Sequence, residues 1–104
     1  MKRGELWRAS LPHPIGTRPV VLLSRDQAYR VRERVAVATV TTRIRNIPTE
    51  VSLGHEEGLP KACVLNLDEI ITIPKKALQK QISDLSPQKI QAIDRAVKFA
   101  LALS

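Results

Sequence analysis

A mainly β (α+β) fold, a small barrel closed by one C-terminal helix, is the fold class that this sequence predicts. Five short segments with strand-like patterns fill the first three quarters of the chain, and Gly or Pro residues separate them. The C-terminal segment then changes to a helical period. A chain of 104 residues supports one core, so we expect a single domain over residues 1–104. The five segments are 4–11, 18–24, 34–42, 47–53 and 62–73.

The predicted strands differ in their expected burial. "RPVVLLS" (18–24) is continuously apolar, which is typical of a strand buried on both faces. "RVAVATVTT" (34–42) carries β-branched residues at alternate positions. "ACVLNLDEIITI" (62–73) is a long apolar run with polar residues in its middle. We also expect a helical turn at 74–78 and a short strand around 80–85.

A helix is predicted after Ser86, which is a good N-cap residue and is followed by a proline at the first helical position. Four apolar residues then recur at helical spacing and form one stripe along the helix. We expect this stripe to cover the open side of the barrel. Its members are Ile90, Ile93, Val97 and Leu101.

The excess positive charge lies in the first half of the chain. Residues 1–49 contain ten Lys or Arg and three Asp or Glu, which accounts for the whole net charge of +7, and nine of those ten cations are Arg. Because the planar guanidinium binds phosphate bidentately, this asymmetry favours a nucleic acid as partner. A soluble basic surface without a specific partner is the alternative. Three aromatic residues are too few for a base-stacking platform.

The composition also bears on metal ions and membranes. One cysteine, Cys63, and two distant histidines do not supply a zinc ligand set. No apolar run approaches the roughly 20 residues of a membrane-spanning helix. We therefore expect no cofactor, no metal and no membrane contact, and a cytoplasmic protein.

Five blocks of sequence between Arg3 and Leu103 occur in an informative order. They are "RGELW", "TRPVVLLS", "VTTRIRNIPTEV", "GLPKACVLNLDEIITIPKKAL" and "LSPQKIQAIDRAVKFALAL". In this order they resemble the MazF/PemK/Kid-type toxins, the endoribonuclease half of bacterial type II toxin–antitoxin pairs. The resemblance implies an SH3-like barrel that forms a homodimer, cuts single-stranded RNA without a metal and is silenced by an acidic MazE-like antitoxin.

The resemblance also implies site residues. The catalytic arginine of the family, directly before Pro-Val, falls on Arg18, and the threonine of its turn falls on Thr41. Asp68 matches the acid that some members use as a general base. The chemistry is attack of the ribose 2′-OH on the adjacent phosphate, which gives a cyclic phosphate. We expect further RNA contacts from Thr17, Thr42, Arg43, Arg45, Asn66 and His13.

Several of these residues have a second interpretation, and the chain departs from the family at three places. Ordinary strand propensity explains Thr41 equally well, and an exposed loop residue is the alternative for His13. Asn66 stands where some members have an arginine, and Ile71 replaces the arginine of the usual "IRT". The loop "PHPIGT" is also shorter than usual.

Three hypotheses for function remain from the sequence. The first is a toxin ribonuclease, and the second is a catalytically silent barrel that still binds RNA. The third is a CcdB-like poison of a protein target, since those toxins share the barrel. The last is disfavoured because the C-terminal "ALALS" lacks the Trp and Gly-Ile ending of such poisons.

Overall fold

Six antiparallel strands form one curled sheet in the computed structural model, which describes residues 1–104. The strand order is β4-β5-β3-β2-β1-β6. Two helices and two short 3₁₀ turns, His55–Glu57 and Lys75–Ala77, complete the chain. The elements are β1 (Glu5–Leu11), β2 (Gly16–Leu22), α1 (Ala28–Val31), β3 (Arg34–Thr41), β4 (Glu50–Leu53), β5 (Cys63–Pro74), β6 (Leu78–Asp84) and α2 (Pro87–Ala100).

The sheet buries apolar residues on both of its faces. Strand β3 shows the alternation, since Val35 and Val37 belong to one core cluster whereas Ala38 and Val40 belong to the other. The larger cluster, of 13 buried residues, lies under helix α2. The smaller cluster, of nine, includes Tyr29 of helix α1. Burial on two faces explains why β2 has a run of apolar residues rather than an alternating pattern.

A bulge in β5 turns this long strand from one core to the other. Ala38 of β3 pairs with Ile70, but the next residue, Thr39, pairs with Asn66. Three residues of β5, 67–69, therefore have no partner on β3. Because the bulge contains an odd number of residues, odd-numbered side chains before and after it lie in different clusters, as Leu65 and Ile73 do.

Helix α2 begins as its sequence predicts. The Ser86 hydroxyl accepts a hydrogen bond from the Lys89 N–H at 3.2 Å. Ile93 is 1% exposed and packs in the larger cluster. Gly4 has a φ of 91°, and a Cβ there would come within 2.9 Å of the Ile90 side chain, so glycine permits both the turn and the close packing of the helix.

The predicted fold class is confirmed, with some differences in detail. Strand β4 starts at Glu50 rather than at residue 47, because a turn closed by the Glu50 N–H and the Ile47 carbonyl (3.0 Å) precedes it. Helix α1 was not predicted. The prediction for Leu101 is wrong, since it lies beyond the helix and is 56% exposed. Neither helix has the length and the apolar character that crossing a membrane requires.

Candidate nucleic-acid interface

Three neighbouring strands, β5, β3 and β2, contribute residues to the candidate site. Arg18 lies near the start of β2, opposite Ala9 of β1, in the exposed part of a strand whose residues 20–22 are buried. Thr41 is the last residue of β3. Asn66 of β5 lies opposite Thr39 and is 7% exposed. The sheet therefore brings together an exposed guanidinium, a hydroxyl and a side-chain amide that are far apart in sequence.

Arg18 and Thr41 line a first depression, here called the Asn66 depression, of about 340 Å³. Three arginines and one carboxylate surround it, so its walls are polar and mostly cationic. Its lining residues are Ile15, Arg18, Thr39, Thr41, Arg43, Arg45, Asn66, Glu69 and Ile71.

The same two residues line a second depression, here called the Leu59 depression, of about 330 Å³. Its walls come from the segment 58–61 and from strand residues, and they combine apolar surface with two further cations, Arg8 and Lys61. Its lining residues are Arg8, Arg18, Pro19, Val40, Thr41, Thr42, Gly58, Leu59, Pro60, Lys61 and Cys63. Arg18 and Thr41 are the only residues common to the two depressions.

Local hydrogen bonds orient the polar groups of the site. The Thr41 Oγ1 accepts the backbone N–H of Arg43 at 3.2 Å, which leaves the hydroxyl proton free to be donated. The Asn66 Oδ1 accepts the backbone N–H of Asp68 at 2.9 Å. The amide Nδ2 of Asn66 has no acceptor within the chain, so it is a donor available to the depression that Asn66 lines.

The loop that carries Arg43 and Arg45 is held by Glu50. One carboxylate oxygen, Oε1, accepts the backbone N–H groups of Arg45 at 2.9 Å and Asn46 at 3.0 Å. The other oxygen, Oε2, lies 3.8 Å from the Arg45 guanidinium. Because Asn46 has a φ of 58°, the backbone turns there and directs both N–H groups to the same carboxylate.

Asp68 lines neither depression. Asp68 is exposed, and its Oδ2 accepts a hydrogen bond from the Thr49 hydroxyl at 2.7 Å. Thr49 also accepts the Leu67 backbone N–H at 2.8 Å through its carbonyl, so the β5 bulge is tied to the turn before β4. Glu69, the next residue of the same bulge, is the carboxylate that lines the Asn66 depression.

Some of the remaining predicted residues line a depression and others do not. Arg43, Arg45 and Asn66 line the first depression, and Thr42 lines the second. Thr17 lies in β2 beside Arg18, opposite Ser10, and is exposed without lining either depression. His13 is an exposed residue of the turn between β1 and β2 and likewise lines neither.

Three charged lining residues have no counterpart among the sequence-based predictions of site residues. These are Arg8, Lys61 and Glu69. Arg8 is one of the ten cations counted in residues 1–49 and Lys61 lies outside that range, and nothing in the pattern around either residue indicates which way it faces. Glu69 stood out only as a polar residue inside an apolar strand.

Two observations bear on other chemistry. Burial, with a smaller contribution from the charge of Glu57, raises the pKa of the Cys63 thiol. Cys63 is 4% exposed and packs in the larger core cluster, where it serves as a small apolar residue. No three His, Cys, Asp or Glu side chains come together as a metal site would need.

A sequence model of the PemK-like, MazF-like toxins of type II toxin–antitoxin systems matches residues 2–101. The chain belongs to this family. The resemblance inferred from the five sequence blocks is thereby confirmed, and it extends over nearly the whole chain.

Relatives in the family come from Mycobacterium tuberculosis. The probable endoribonuclease MazF2 (strain ATCC 25618 / H37Rv) is 42% identical over 92 residues, which are 86% of this chain and 87% of that protein. The probable endoribonuclease MazF5 of the same strain is 35% identical over 103 residues, which are 98% of this chain and 94% of that protein.

Solved structures of the family share the fold. The Mycobacterium tuberculosis toxin MazF-mt6 superimposes with a TM-score of 0.89 at 31% identity, over 96% of this chain and 98% of that chain. A mycobacterial endoribonuclease in complex with its cognate antitoxin superimposes with a TM-score of 0.88 at 30% identity, over 100% of this chain and 97% of that chain.

Proposed function

We propose that this MazF-like toxin is an endoribonuclease that cuts single-stranded RNA without a metal ion. The main observation behind the proposal is the position of Arg18, an exposed arginine on strand β2 that lines both depressions. The relatives MazF2 and MazF5 are named as probable endoribonucleases, which supports the same activity.

The reaction requires a proton acceptor, a proton donor and a positive charge. The ribose 2′-oxygen attacks the adjacent phosphorus, loses its proton to a base, and forms a 2′,3′-cyclic phosphate while the 5′-oxygen leaves with a proton. Arg18 supports the extra negative charge of the pentacoordinate phosphorus with two N–H donors. The Thr41 hydroxyl, whose proton is free, donates to a non-bridging phosphate oxygen.

Asp68 is the proposed general base, through the carboxylate oxygen that Thr49 does not contact. Its Oδ2 accepts the Thr49 hydroxyl, and Oδ1 forms no hydrogen bond within the chain. The carboxylate lies outside the two depressions, so this assignment is tested separately below. The proposed contacts with the rest of the RNA come from Thr17, Thr42, Arg43, Arg45, Asn66 and His13.

The proposed partner is an acidic antitoxin that occupies the same arginine-lined surface. Carboxylates compete with phosphates for guanidinium groups, because both are bidentate acceptors. A family member has been solved as an endoribonuclease with its cognate antitoxin, which supports such a partner here. We further propose a homodimer whose groove carries the positive charge, located in the cytoplasm.

The deciding experiment is incubation of the purified protein with a long RNA in EDTA, followed by primer extension. Cuts that share a short sequence motif, and whose 3′ ends are cyclic phosphates, are the expected result. RNA that stays intact although it binds the protein would identify a silent binding module. If the protein neither cuts nor binds RNA, the remaining hypothesis is a poison of a protein target.

The antitoxin proposal has its own test. The cognate acidic partner, added before the RNA, is expected to abolish cleavage in proportion to its binding, measured by calorimetry. Cleavage that continues unchanged in the saturated complex would show that the two surfaces do not overlap.

A further inference from the structure

A second group of cations lies at the opposite end of strand β3 from Thr41. Residues 30–34 and 74–76, here called the α1 surface, contain five Lys or Arg and one Glu. The two depressions are together lined by the same numbers, five Lys or Arg and one Glu. The rest of the chain has seven cations and eight carboxylates. The excess of positive charge therefore lies in two separate surfaces.

Backbone pairing and hydrogen bonds hold the two segments of the α1 surface together. Arg34 lies opposite Pro74 in the sheet. The backbone N–H of Lys75 donates to the Glu33 carbonyl at 2.8 Å, and its Nζ donates to the Tyr29 carbonyl at 2.8 Å. The cations of both segments therefore belong to one surface.

The charges of the α1 surface are not neutralised within the chain. The two ion pairs of the structure lie elsewhere, and Glu33 is exposed and takes part in neither. Three of the five cations are exposed and form neither an ion pair nor a side-chain hydrogen bond. They are Arg30, Arg32 and Lys76. Like charges at this density repel one another, and a polyanion relieves that repulsion.

The composition of the α1 surface fits a phosphate backbone better than a protein or an unpaired RNA strand. Val31 is the only large apolar side chain exposed in its two segments, whereas protein interfaces have an apolar centre. Unpaired bases stack on aromatic rings, but Tyr29, the residue before Arg30, is 7% exposed. A duplex presents its phosphates with the bases already paired, so charge alone is sufficient for contact.

We infer that the α1 surface binds the phosphate backbone of a double-stranded RNA segment that adjoins the single-stranded segment at Arg18. Strand β3 runs from Arg34 to Thr41 and separates the two surfaces by about 23 Å, at about 3.3 Å per residue. An RNA stem-loop spans that distance with its stem on the α1 surface and its loop at the depressions. The step from binding to a substrate depends on the function proposed above.

The experiment measures binding of an RNA duplex by fluorescence anisotropy at several salt concentrations. The duplex has about 16 base pairs, the length that one double-stranded RNA-binding domain spans. A triple variant, Arg30→Gln, Arg32→Gln and Lys76→Gln, is expected to bind more weakly and to lower the log–log slope by about 2 to 3, since each phosphate contact contributes about 0.7 to 0.9. An unchanged slope, or a wild type that does not bind the duplex, would overturn the inference.

A second triple variant, Lys2→Gln, Arg95→Gln and Lys98→Gln, is the matched control. It removes the same charge from exposed residues outside the α1 surface and the two depressions. Circular dichroism checks that both triple variants are folded. The control is expected to keep the wild-type slope, and an equal fall in the control would show that net charge alone is responsible and overturn the inference.

Cleavage assays test the role of the α1 surface in substrate choice. The substrates are a stem-loop whose loop carries a mapped cut and the same loop sequence as a linear strand. For the triple variant of the α1 surface, KM for the stem-loop is expected to rise with kcat unchanged, whereas the linear strand is cut as by the wild type. Equal losses on both substrates would refute this role.

Two further outcomes separate this inference from the proposed activity and from a protein partner. Loss of duplex binding in the α1-surface variant, with no cleavage of any RNA by the wild type, would refute the endoribonuclease and support the surface. If that variant instead loses affinity for the acidic antitoxin and keeps its affinity for the duplex, the surface docks a protein and the inference is overturned.

Discussion

The cations beside helix α2 and the cations around Arg18 differ in what their side chains contact. Arg3 donates to Asp94 of the helix at 2.7 Å and to the Leu23 carbonyl at 3.2 Å. Lys89 donates to the Ser52 carbonyl. Around the site, neither Arg18 nor Arg43 forms an ion pair within the chain, whereas Arg45 lies 3.8 Å from the Glu50 carboxylate.

This difference separates two uses of positive charge within the same chain. A cation with a protein partner connects elements of the fold, and its charge is partly neutralised before any ligand arrives. A cation without one keeps its full attraction for phosphate. Substitutions on the helix side are therefore expected to change stability, whereas substitutions on the site side are expected to change RNA cleavage and binding.

The largest expected effect is that of Arg18→Ala on cleavage. Loss of one preorganised donor to the phosphorane is expected to lower the rate about 100- to 1,000-fold, or about 3 to 4 kcal/mol. Arg18→Lys is expected to recover little, since one ammonium does not bridge two phosphate oxygens. Rates on one labelled oligonucleotide measure both. Arg95→Ala, on helix α2 and outside the two depressions, is the matched control.

Folding must be checked for the Arg18 variants by circular dichroism. Arg18 is exposed, so the melting curve is expected to stay close to that of the wild type. Full activity in a folded Arg18→Ala protein would remove arginine from the mechanism.

The reverse behaviour is expected of Ile93→Ala. Ile93 is 1% exposed in the core under α2, and truncation of a buried isoleucine to alanine costs about 3 kcal/mol of unfolding free energy. Urea unfolding measures this loss. Cleavage by the folded variant, assayed at low temperature, is expected to equal the wild-type rate. A large loss of cleavage at full folding would mean that the helix side and the site are coupled.

A smaller effect is expected of Asp68→Asn. The carboxylate lies outside the depressions and already accepts the Thr49 hydroxyl, so its substitution is expected to slow cleavage less than Arg18→Ala does. Single-turnover rates at several pH values measure this. Losses equal to those of Arg18→Ala would instead establish Asp68 as the primary base.

The smallest effect concerns the dependence of RNA binding on salt. Binding of single-stranded RNA is expected to weaken steeply with salt, and Arg43→Ala is expected to lower the log–log slope by about 0.7, the contribution of one phosphate contact. Anisotropy titrations at several salt concentrations give the slope, with Arg95→Ala as control. A flat response in the wild type would refute the phosphate-binding surface.

The sequence predicts most of the fold because its strands and helix have strong local signals. The apolar run of residues 20–23 and the Ser86 cap each indicate an element, although β2 spans Gly16–Leu22 instead of the predicted 18–24. Helix α1 has only four residues, too short for a period to appear. The predicted apolar stripe of α2 includes Leu101, which is 56% exposed, because periodicity alone does not show where the packing of a helix ends.

The candidate site was predictable only in part, for a geometric reason. Side-chain direction in a regular strand follows from counting alternate residues, but the count fails at the bulge of residues 67–69. For this reason Asp68 and Glu69 could not be distinguished by pattern, and the structure places Glu69 in the depression. Lys61 lies in a loop, where no period exists to predict its direction.

The Glu50 carboxylate has a consequence for the thermodynamics of association. Because Oε1 holds the N–H groups of Arg45 and Asn46, the backbone of this loop is ordered in the free protein. Ordering a residue costs about 1 to 2 kcal/mol of conformational entropy, and here that cost falls on folding instead of on the encounter with RNA. When RNA binds, the protein backbone of this loop is already ordered, so only the side chains of its arginines lose conformational freedom.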